Sequence, residues 1–262
     1  MTRQNYYKQE KEQQRREVDE ELVITLVDRE RRDQPRLGVR KLYKVLENEL
    51  KESGVELGRD RMFEILRKHG RLVEPLPRSA RTTNSYHSLP VFQNLIGDLE
   101  ATGPNQIWVS DITYLRTWSG FEYLSLIMDL YSRKIVGYHS GSSLDAQGPV
   151  TALKQALEGL PDGCLPIHHS DRGCQYCSHE YVGQLRDRGL AISMTEENHC
   201  YENASAERLN GILKQEYGLG GTFGTRAQAR RAVEQAVWLY NNRRPHTSLG
   251  MEYPAQVHRQ AA

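Results

Sequence analysis

The sequence predicts an α/β protein, in which a mixed sheet flanked by helices follows a small all-α module. Two observations predict this class. Before about residue 75 the apolar residues recur at helical spacing, whereas from Gln106 onward the order is three strands, helix, strand, helix, strand and helix. A length of 262 residues allows one large or two modest domains, and a hydrophobic content of 38% allows a buried core.

Three helices are predicted in the first part of the chain. In residues 18–32 the apolar side chains fall on one helical face: Leu22, Val23, Leu26 and Val27. A second helix is expected from about Val39 to Glu52 and a third from Arg59 to His69, the latter with Met62, Phe63, Ile65 and Leu66 as its apolar residues. Two short helices joined by a glycine-bearing turn favour a helix-turn-helix, although an ordinary helical hairpin fits the same pattern.

The charge is balanced overall and basic locally. The formal net charge is +1, yet residues 34–88 hold 12 basic and 7 acidic residues. Because phosphates attract such a stretch, it is the first candidate for DNA contact. The predicted DNA-binding residues here are Arg59, Arg61, Arg67, Lys68, Arg78 and Arg81.

Composition sets the expected domain boundaries. Residues 76–104 lose periodicity and are rich in proline, serine, threonine and asparagine, as is typical of a linker. We therefore expect a helical extension at 1–35, a helix-turn-helix-like DNA-binding region at 36–75, the linker at 76–104 and the α/β domain at 105–262. The apolar runs are too short for a membrane helix, and no signal peptide is recognised, so a cytoplasmic, nucleoid-associated protein is expected.

The α/β domain begins with three predicted strands, at about 107–117, 121–132 and 134–140. Helices follow at about 145–158 and 180–188, short strands at 166–171 and 191–194, and a long helical tail that is broken near 218–224. This is the strand and helix order of the ribonuclease-H-like architecture, by analogy.

Two strand-associated aspartates are candidates for metal chemistry. Asp111 interrupts an apolar strand and shares a face with Val109, where a carboxylate is costly without a partner. Asp171 ends the short strand at the carboxyl edge of the sheet, where α/β folds bind ligands. A strand-end aspartate and a helix N-cap are the respective structural alternatives.

A polar helix face adds a third acid. In NASAERLNGILKQEY, Glu207, Asn210 and Lys214 lie opposite an apolar side, so that a carboxylate, an amide and a cation follow one another along the helix. Such a stripe suits a metal followed by a phosphate, although a solvated helix face with a weak ion pair fits it too. The spacing is 59 residues between Asp111 and Asp171, and 35 between Asp171 and Glu207.

Four motifs in order carry a resemblance to a known family: W-x-x-D-I-T-Y, H-S-D-R-G-x-Q-Y, N-A-x-A-E-R-x-N-G-x-L-K and Y-N-N-R-R-P-H-x-S-L-G. Over about residues 36–256 the sequence resembles the DDE transposase that the second reading frame of the IS-three group of bacterial insertion sequences encodes, a relative of retroviral integrases. The resemblance implies that 105–262 is an integrase-like catalytic core.

The resemblance also implies roles for individual residues. Asp111, Asp171 and Glu207 match the catalytic, metal-binding triad, and Lys214 matches the basic residue that approaches DNA; Asn210 is predicted to bind DNA beside it. The family uses Mg²⁺ or Mn²⁺, two ions being expected. It cuts the element's end with water and joins the freed 3′ hydroxyl to target DNA. Expected partners are transposon ends and target DNA, further copies of the chain as a dimer or higher multimer, and the product of the preceding reading frame.

Two other functions stay open from sequence. One is a nuclease of the same fold that only hydrolyses DNA, and the other is an inactive or domesticated DNA-binding protein. The remaining polar residues are given structural interpretations: Asp129 as a structural strand acid, Cys174 and Cys177 as coincidental rather than zinc-binding, and His246 as a capping residue. Arg243 and Arg244 are interpreted as either DNA contacts or solvated charges.

Overall fold

The computed structural model describes residues 3–74, 89–97, 99–196 and 203–260, with side chains from residue 18 onward. The chain divides into two compact units, Met1–Leu76 and Pro77–Ala262. No helix within the described ranges is both long and apolar enough to cross a membrane. The predicted class is confirmed: a helical unit precedes a mixed sheet flanked by helices.

The first unit consists of three helices, α1 (Arg3–Asp33), α2 (Val39–Glu52) and α3 (Arg59–Lys68). Each buries aliphatic residues against the other two, and these form one core: Val23, Leu26, Val27, Leu42, Leu46, Leu50, Met62, Ile65 and Leu66. Gly54 follows α2 with a φ of +74°, a left-handed conformation that glycine adopts without strain. The helical hairpin α2–α3 therefore has its turn at the expected glycine.

One feature of this unit agrees with the prediction and one differs. Helix α1 begins at Arg3, within the helical extension expected at 1–35, although the apolar stripe that indicated the helix starts only near residue 18. Phe63, predicted to be apolar core, is 38% exposed, and the Arg67 guanidinium lies 4.8 Å from its ring centroid. The core uses Met62, Ile65 and Leu66, which leaves Phe63 at the edge of the buried face.

The second unit is built on a sheet with the order β3-β2-β1-β4-β5, and β6 also pairs with β1. The strands are β1 (Ile107–Thr117), β2 (Gly120–Asp129), β3 (Ile135–Gly141), β4 (Ile167–Ser170), β5 (Ile192–Met194) and β6 (Thr222–Phe223). β1, β2 and β3 form an antiparallel meander, whereas β4, β5 and β6 join in parallel. β1 is therefore central, with partners on both edges.

Helices cover both faces of this sheet. They are α4 (Gln147–Glu158), α5 (His179–Asp187), α6 (Ala204–Glu216), α7 (Arg226–Asn242) and α8 (Pro254–Gln260). Ile107, Val109 and Leu115 of β1 pack with α6 and α7, while Trp108 packs with α4 and α5. Because strand side chains alternate between faces, odd positions of β1 point toward α6 and α7.

Close packing holds α4 against the sheet. A Cβ built at Gly137 of β3 would lie 2.2 Å from the Ala152 carbonyl oxygen of α4, so only glycine permits this approach. Asp129 has the predicted structural surroundings at the end of β2, where it is fully buried and accepts hydrogen bonds from the Asn105 and Ser132 backbone amides. These bonds tie the chain before β1 to the turn after β2.

Candidate active site

Strand register brings Asp111 and Asp171 to adjacent positions. In the parallel pair β1–β4, Val109 lies opposite His169. Asp111 comes two residues later on β1, and Asp171 comes two residues later in the turn that follows β4, so the two acids lie close together on neighbouring segments, whose strands are separated by about 4.8 Å. Two acids with 59 residues between them in sequence are thus neighbours, at the point where β4 ends beside the middle of β1.

Asp111 is held by hydrogen bonds on both carboxylate oxygens. Its Oδ1 accepts from the Ile112 backbone N–H at 2.8 Å, and its Oδ2 accepts from Nδ2 of Asn210 at 2.7 Å. Burial, together with the negative charge of Asp171 and, more weakly, Glu207, raises the pKa of Asp111 to about 7. The acids therefore form one electrostatic group in which Asp111 resists ionisation.

Asp171 lies in a tight turn directly after β4. Its Oδ1 accepts a hydrogen bond from the Gly173 backbone N–H at 2.9 Å. A Cβ at Gly173 would also lie 2.9 Å from this same oxygen, so a larger residue there would displace the carboxylate. The glycine in H-S-D-R-G therefore lets the backbone approach Asp171 closely.

Helix α6 carries the third acid across this edge. Asn203, directly before α6, is buried and donates from Nδ2 to the Ser110 carbonyl oxygen at 3.0 Å, which fixes the start of the helix on β1. Glu207 follows on the first turn and is exposed, and one turn later Asn210 is buried against Asp111. The predicted polar face is therefore turned toward the acids.

Lys214 lies one turn beyond Asn210 on α6. Its Nζ is 4.5 Å from the centroid of the Tyr114 ring, a cation–π distance. Burial lowers the pKa of Lys214; the charge of Asp111 opposes this effect and that of Arg116 adds to it. A cationic side chain on an aromatic ring thus stands close to the acidic group.

The donor set suits a hard divalent cation. Two carboxylates lie side by side, and the amide oxygen of Asn210 is buried without a hydrogen-bond partner next to Asp111. A cation would relieve the repulsion that raises the pKa of Asp111. Within the part of the chain that the structure describes, however, no three His, Cys, Asp or Glu side chains form a metal-binding cluster, so Glu207 does not complete one with the two aspartates.

The raised pKa of Asp111 predicts a pH-dependent stability. An unfolded Asp titrates near 3.8, so between about pH 4 and pH 7 the folded chain binds more protons and its stability falls as pH rises. Asp111→Asn removes this penalty. In the absence of divalent cations we expect it to stabilise the protein by about 2 kcal/mol at pH 8 and by almost nothing near pH 4.

Urea unfolding in EDTA at both pH values measures this difference. Asp162→Asn, at an exposed position, is the matched control and should leave stability unchanged at either pH. A variant at Asp111 that is less stable than the parent at pH 8 would contradict the prediction.

The basic residues predicted in α3 are engaged within the helical unit. Glu20 of α1, whose side chain is only 10% exposed, pairs with Arg61 and Lys68, each at 2.7 Å. Arg59 pairs with Asp60 at 2.8 Å. The side chains of Arg59, Arg61 and Lys68 remain about half exposed, so DNA contact by α3 stays a prediction. Arg78 and Arg81 lie outside the described residues.

A buried polar network under Asp111 was missed from sequence. His168 of β4 is fully buried, and its Nε2 lies 2.7 Å from Ser110 Oγ and 2.8 Å from the Tyr181 hydroxyl. Burial lowers the pKa of His168 to about 3, so the ring is neutral. The two histidines of PIHHSD indicated this network in the sequence only in so far as buried strand histidines need polar partners.

Cys174 is exposed and Cys177 is buried, and both are free thiols.

Arg244 was interpreted as either a DNA contact or a solvated charge, and both interpretations are wrong. Arg244 is 2% exposed and makes two hydrogen bonds of 2.8 Å to the two carboxylate oxygens of Glu216 at the end of α6. It is neither a solvated charge nor available to DNA.

His246 is buried, lies edge-on to Tyr240 with ring centroids 5.0 Å apart, and precedes the short 3₁₀ turn Thr247–Leu249.

Known families match the second unit. Residues 101–200 match an integrase core domain, and residues 188–254 match a second integrase core domain family.

Similar proteins extend over most of the chain. The insertion element IS600 uncharacterized 31 kDa protein of Shigella sonnei is 37% identical over 97% of this chain and 94% of that protein. The transposase for insertion sequence element IS629, also of Shigella sonnei, is 34% identical over 84% of this chain and 73% of its own. Transposase InsF for insertion sequence IS3A of Escherichia coli (strain K12) is 36% identical over 80% of this chain and 74% of that protein.

A solved structure with a TM-score above 0.5 shares the fold at low identity. The simian T-cell lymphotropic virus intasome, in complex with PP2A regulatory subunit B56 gamma, has a TM-score of 0.52 at 19% identity and covers 84% of this chain and 74% of that one. The HTLV-2 integrase catalytic core domain in complex with magnesium (trimeric form) has a TM-score of 0.49 at 19% identity. It covers 61% of this chain and 99% of that one.

Proposed function

The chain belongs to the IS3 family of insertion-sequence transposases, which carry an integrase core, and from this premise we propose that Asp111, Asp171 and Glu207 form its site of DNA cleavage and joining. The reaction class is polynucleotidyl transfer. The observation that carries the assignment is the β1–β4 register, which sets Asp111 beside Asp171 next to the helix of Glu207. The DNA transposition expected of this family is then performed at this edge of the sheet.

Two Mg²⁺ or Mn²⁺ ions would be held by these three carboxylates. The repulsion at Asp111 and the unpartnered amide oxygen of Asn210 support a cation there. When bound, such ions activate the attacking oxygen and stabilise the leaving oxygen of a phosphodiester. Glu207 would complete the ligand set from α6.

The chain's own residues orient the acids and the DNA. Asn210 fixes the rotamer of Asp111 through Oδ2, and each carboxylate oxygen keeps a further lone pair for a ligand. Lys214 offers a positive charge to a phosphate close to the acids. In cleavage a water oxygen loses a proton and bonds to the phosphorus at the element's end, while the bond from that phosphorus to the 3′ oxygen breaks and the 3′ oxygen takes up a proton. In joining, the freed 3′ oxygen bonds to a target phosphorus, while the target's own 3′ oxygen leaves and takes up a proton.

A strand-transfer assay tests this proposal. The substrate is a duplex that ends in the inverted repeat found beside the gene, with its 3′ end already cut, together with plasmid target DNA and Mg²⁺ or Mn²⁺. We expect joined product that disappears in EDTA. Cleavage of an uncut end without any joining of the pre-cut end would favour the hydrolysis-only nuclease, and DNA binding without either reaction would favour the non-catalytic DNA-binding protein.

The helical unit is proposed to add DNA affinity through Arg59, Arg61, Arg67 and Lys68 of α3. Contacts to phosphates release counterions, so binding should weaken steeply as salt concentration rises. Because two ends must be cut and joined, at least two copies of the chain are proposed to act together. Cooperation with the product of the preceding reading frame stays a prediction from sequence.

A further inference from the structure

We propose that the cavity beside Asp111 and Asp171 receives one nucleobase that has been unstacked from the DNA undergoing reaction. The inference rests on the proposed function, and it adds to it a binding site for a base beside the site for the phosphate. The cavity has a volume of about 360 Å³, which lies within the range of pockets that hold small ligands.

The cavity exists because β1 is longer than β4. The two strands pair only from Ile107 to Val109 on β1, and β6 pairs with β1 again only at Arg116 and Thr117. Between these points β1 has an open edge. Residues 111–116 form one wall of the cavity, and the segment 173–176 after Asp171 forms another.

The walls are aromatic. Tyr114 lies opposite Tyr123 and Arg116 lies opposite Phe121, so these four side chains share one face of the β1–β2 hairpin. The Tyr114 and Phe121 rings meet edge to face with centroids 5.2 Å apart, and Phe121 remains 45% exposed. Tyr176 lines the other wall, and the Gln175 side chain reaches across to the Leu144 carbonyl oxygen at 3.0 Å.

The charges indicate which ligand fits. Carboxylates at the mouth disfavour a free anion, whereas aromatic walls favour a flat, uncharged ring. Arg116 lines the same cavity, and Lys214 lies on the Tyr114 ring. These two cations could contact the phosphates that flank a bound ligand ring. A nucleobase that remains attached to its backbone is flat and uncharged, and its flanking phosphates can meet the two cations. Stacking on aromatic side chains is also how proteins hold unpaired bases.

The position explains why such a base would be useful. A phosphate that lies between Asp111 and Asp171 has its own nucleotide within reach of the cavity. Unstacking that nucleotide would free the phosphodiester from the regular duplex and let it enter the acidic edge. Enzymes that do chemistry on a base of a duplex take that base out of the stack into a pocket of their own, so a protein pocket can hold an unstacked base.

Phe121→Leu tests the inference, because leucine keeps an apolar wall and removes the stacking ring. Loss of one base–aromatic contact corresponds to about 5- to 150-fold weaker use of DNA in the strand-transfer assay, measured as the joining rate at limiting DNA concentration. Trp118→Leu is the matched control. Trp118 is 84% exposed at the turn of the same hairpin and does not line the cavity, so we expect less than a twofold effect.

A direct readout uses the pre-cut end with 2-aminopurine placed in turn at each position that flanks the joint. Binding in Ca²⁺ should change the fluorescence at one or two positions with the parent and with Trp118→Leu, but not with Phe121→Leu. Parent protein that joins DNA while Phe121→Leu joins equally well, without any position-specific fluorescence change, overturns the inference and leaves the proposed function standing. A parent that joins no DNA counts against the proposed function instead.

A protein occupant is the remaining outcome. If the cavity received a side chain from a second copy of the chain, Phe121→Leu would change the oligomeric state in sedimentation without DNA, and the fluorescence pattern would equal that of the parent. That result also overturns the inference.

Discussion

Asp171→Asn is expected to lower the rate of DNA joining by at least about 10³-fold, because a neutral amide binds a divalent cation far more weakly than a carboxylate and the barrier rises by several kcal/mol. Asp171 lies beside Asp111, and its Oδ1 accepts a hydrogen bond from the Gly173 N–H in the surrounding turn. Asparagine can keep that bond, so the fold should persist.

The measurement is the joining rate with the pre-cut end, accompanied by thermal unfolding of each protein. Asp162→Asn is the control, since it removes one negative charge at an exposed position away from the acids. We expect the control to join DNA at the parent rate. Asp171→Asn with unchanged cleavage and joining would mean that the acidic edge is not the reaction site.

Arg244→Ala is expected to destabilise the second unit by about 3–5 kcal/mol, which is the usual consequence of leaving one member of a buried ion pair uncompensated. Glu216 would lose both hydrogen bonds from the guanidinium at the end of α6. For a unit of this size the melting temperature should fall by roughly 6–20 °C.

Arg243→Ala is the matched control because it removes the same charge one residue earlier from a side chain that is only half-buried. Its effect should stay below about 1 kcal/mol. Arg244→Lys distinguishes charge from geometry: lysine keeps the charge but cannot form the two-pronged contact, so an intermediate loss is expected. Equal melting temperatures for Arg243→Ala and Arg244→Ala would show that the buried pair contributes nothing to stability.

The sequence alone could not predict that Arg243 and Arg244 differ in burial. Both stand in R-R-P-H at the end of a helix, and composition treats them alike. In the structure they differ in burial, because α7 ends beside the end of α6 and the second arginine is buried there with two hydrogen bonds to Glu216. Asn210 is similar: its place on a polar helix face was predictable, but its hydrogen bond to Asp111 depends on a strand 99 residues away.

Local patterns were sufficient for the elements themselves. Alternating apolar residues predicted β1 to β3, helical spacing and glycines predicted α2 and α3 to within a residue, and four motifs indicated the family, which the similar transposases confirm. Helix α1 lies within the helical extension expected at 1–35, although only its second half carries a periodic signal. The identities of the candidate acids also came from the motifs.

What the sequence determined by itself was therefore the order of the elements, the family and the residue types available for chemistry, because these depend on periodicity and on short motifs. Only the tertiary structure decided that Asp111 stands beside Asp171, that Arg244 is buried on Glu216, and that an aromatic cavity opens next to the acids. Each of these depends on strand register or on helix ends that meet across long stretches of chain. Such pairings are selected by the packing of the whole core, which no local stretch of sequence specifies.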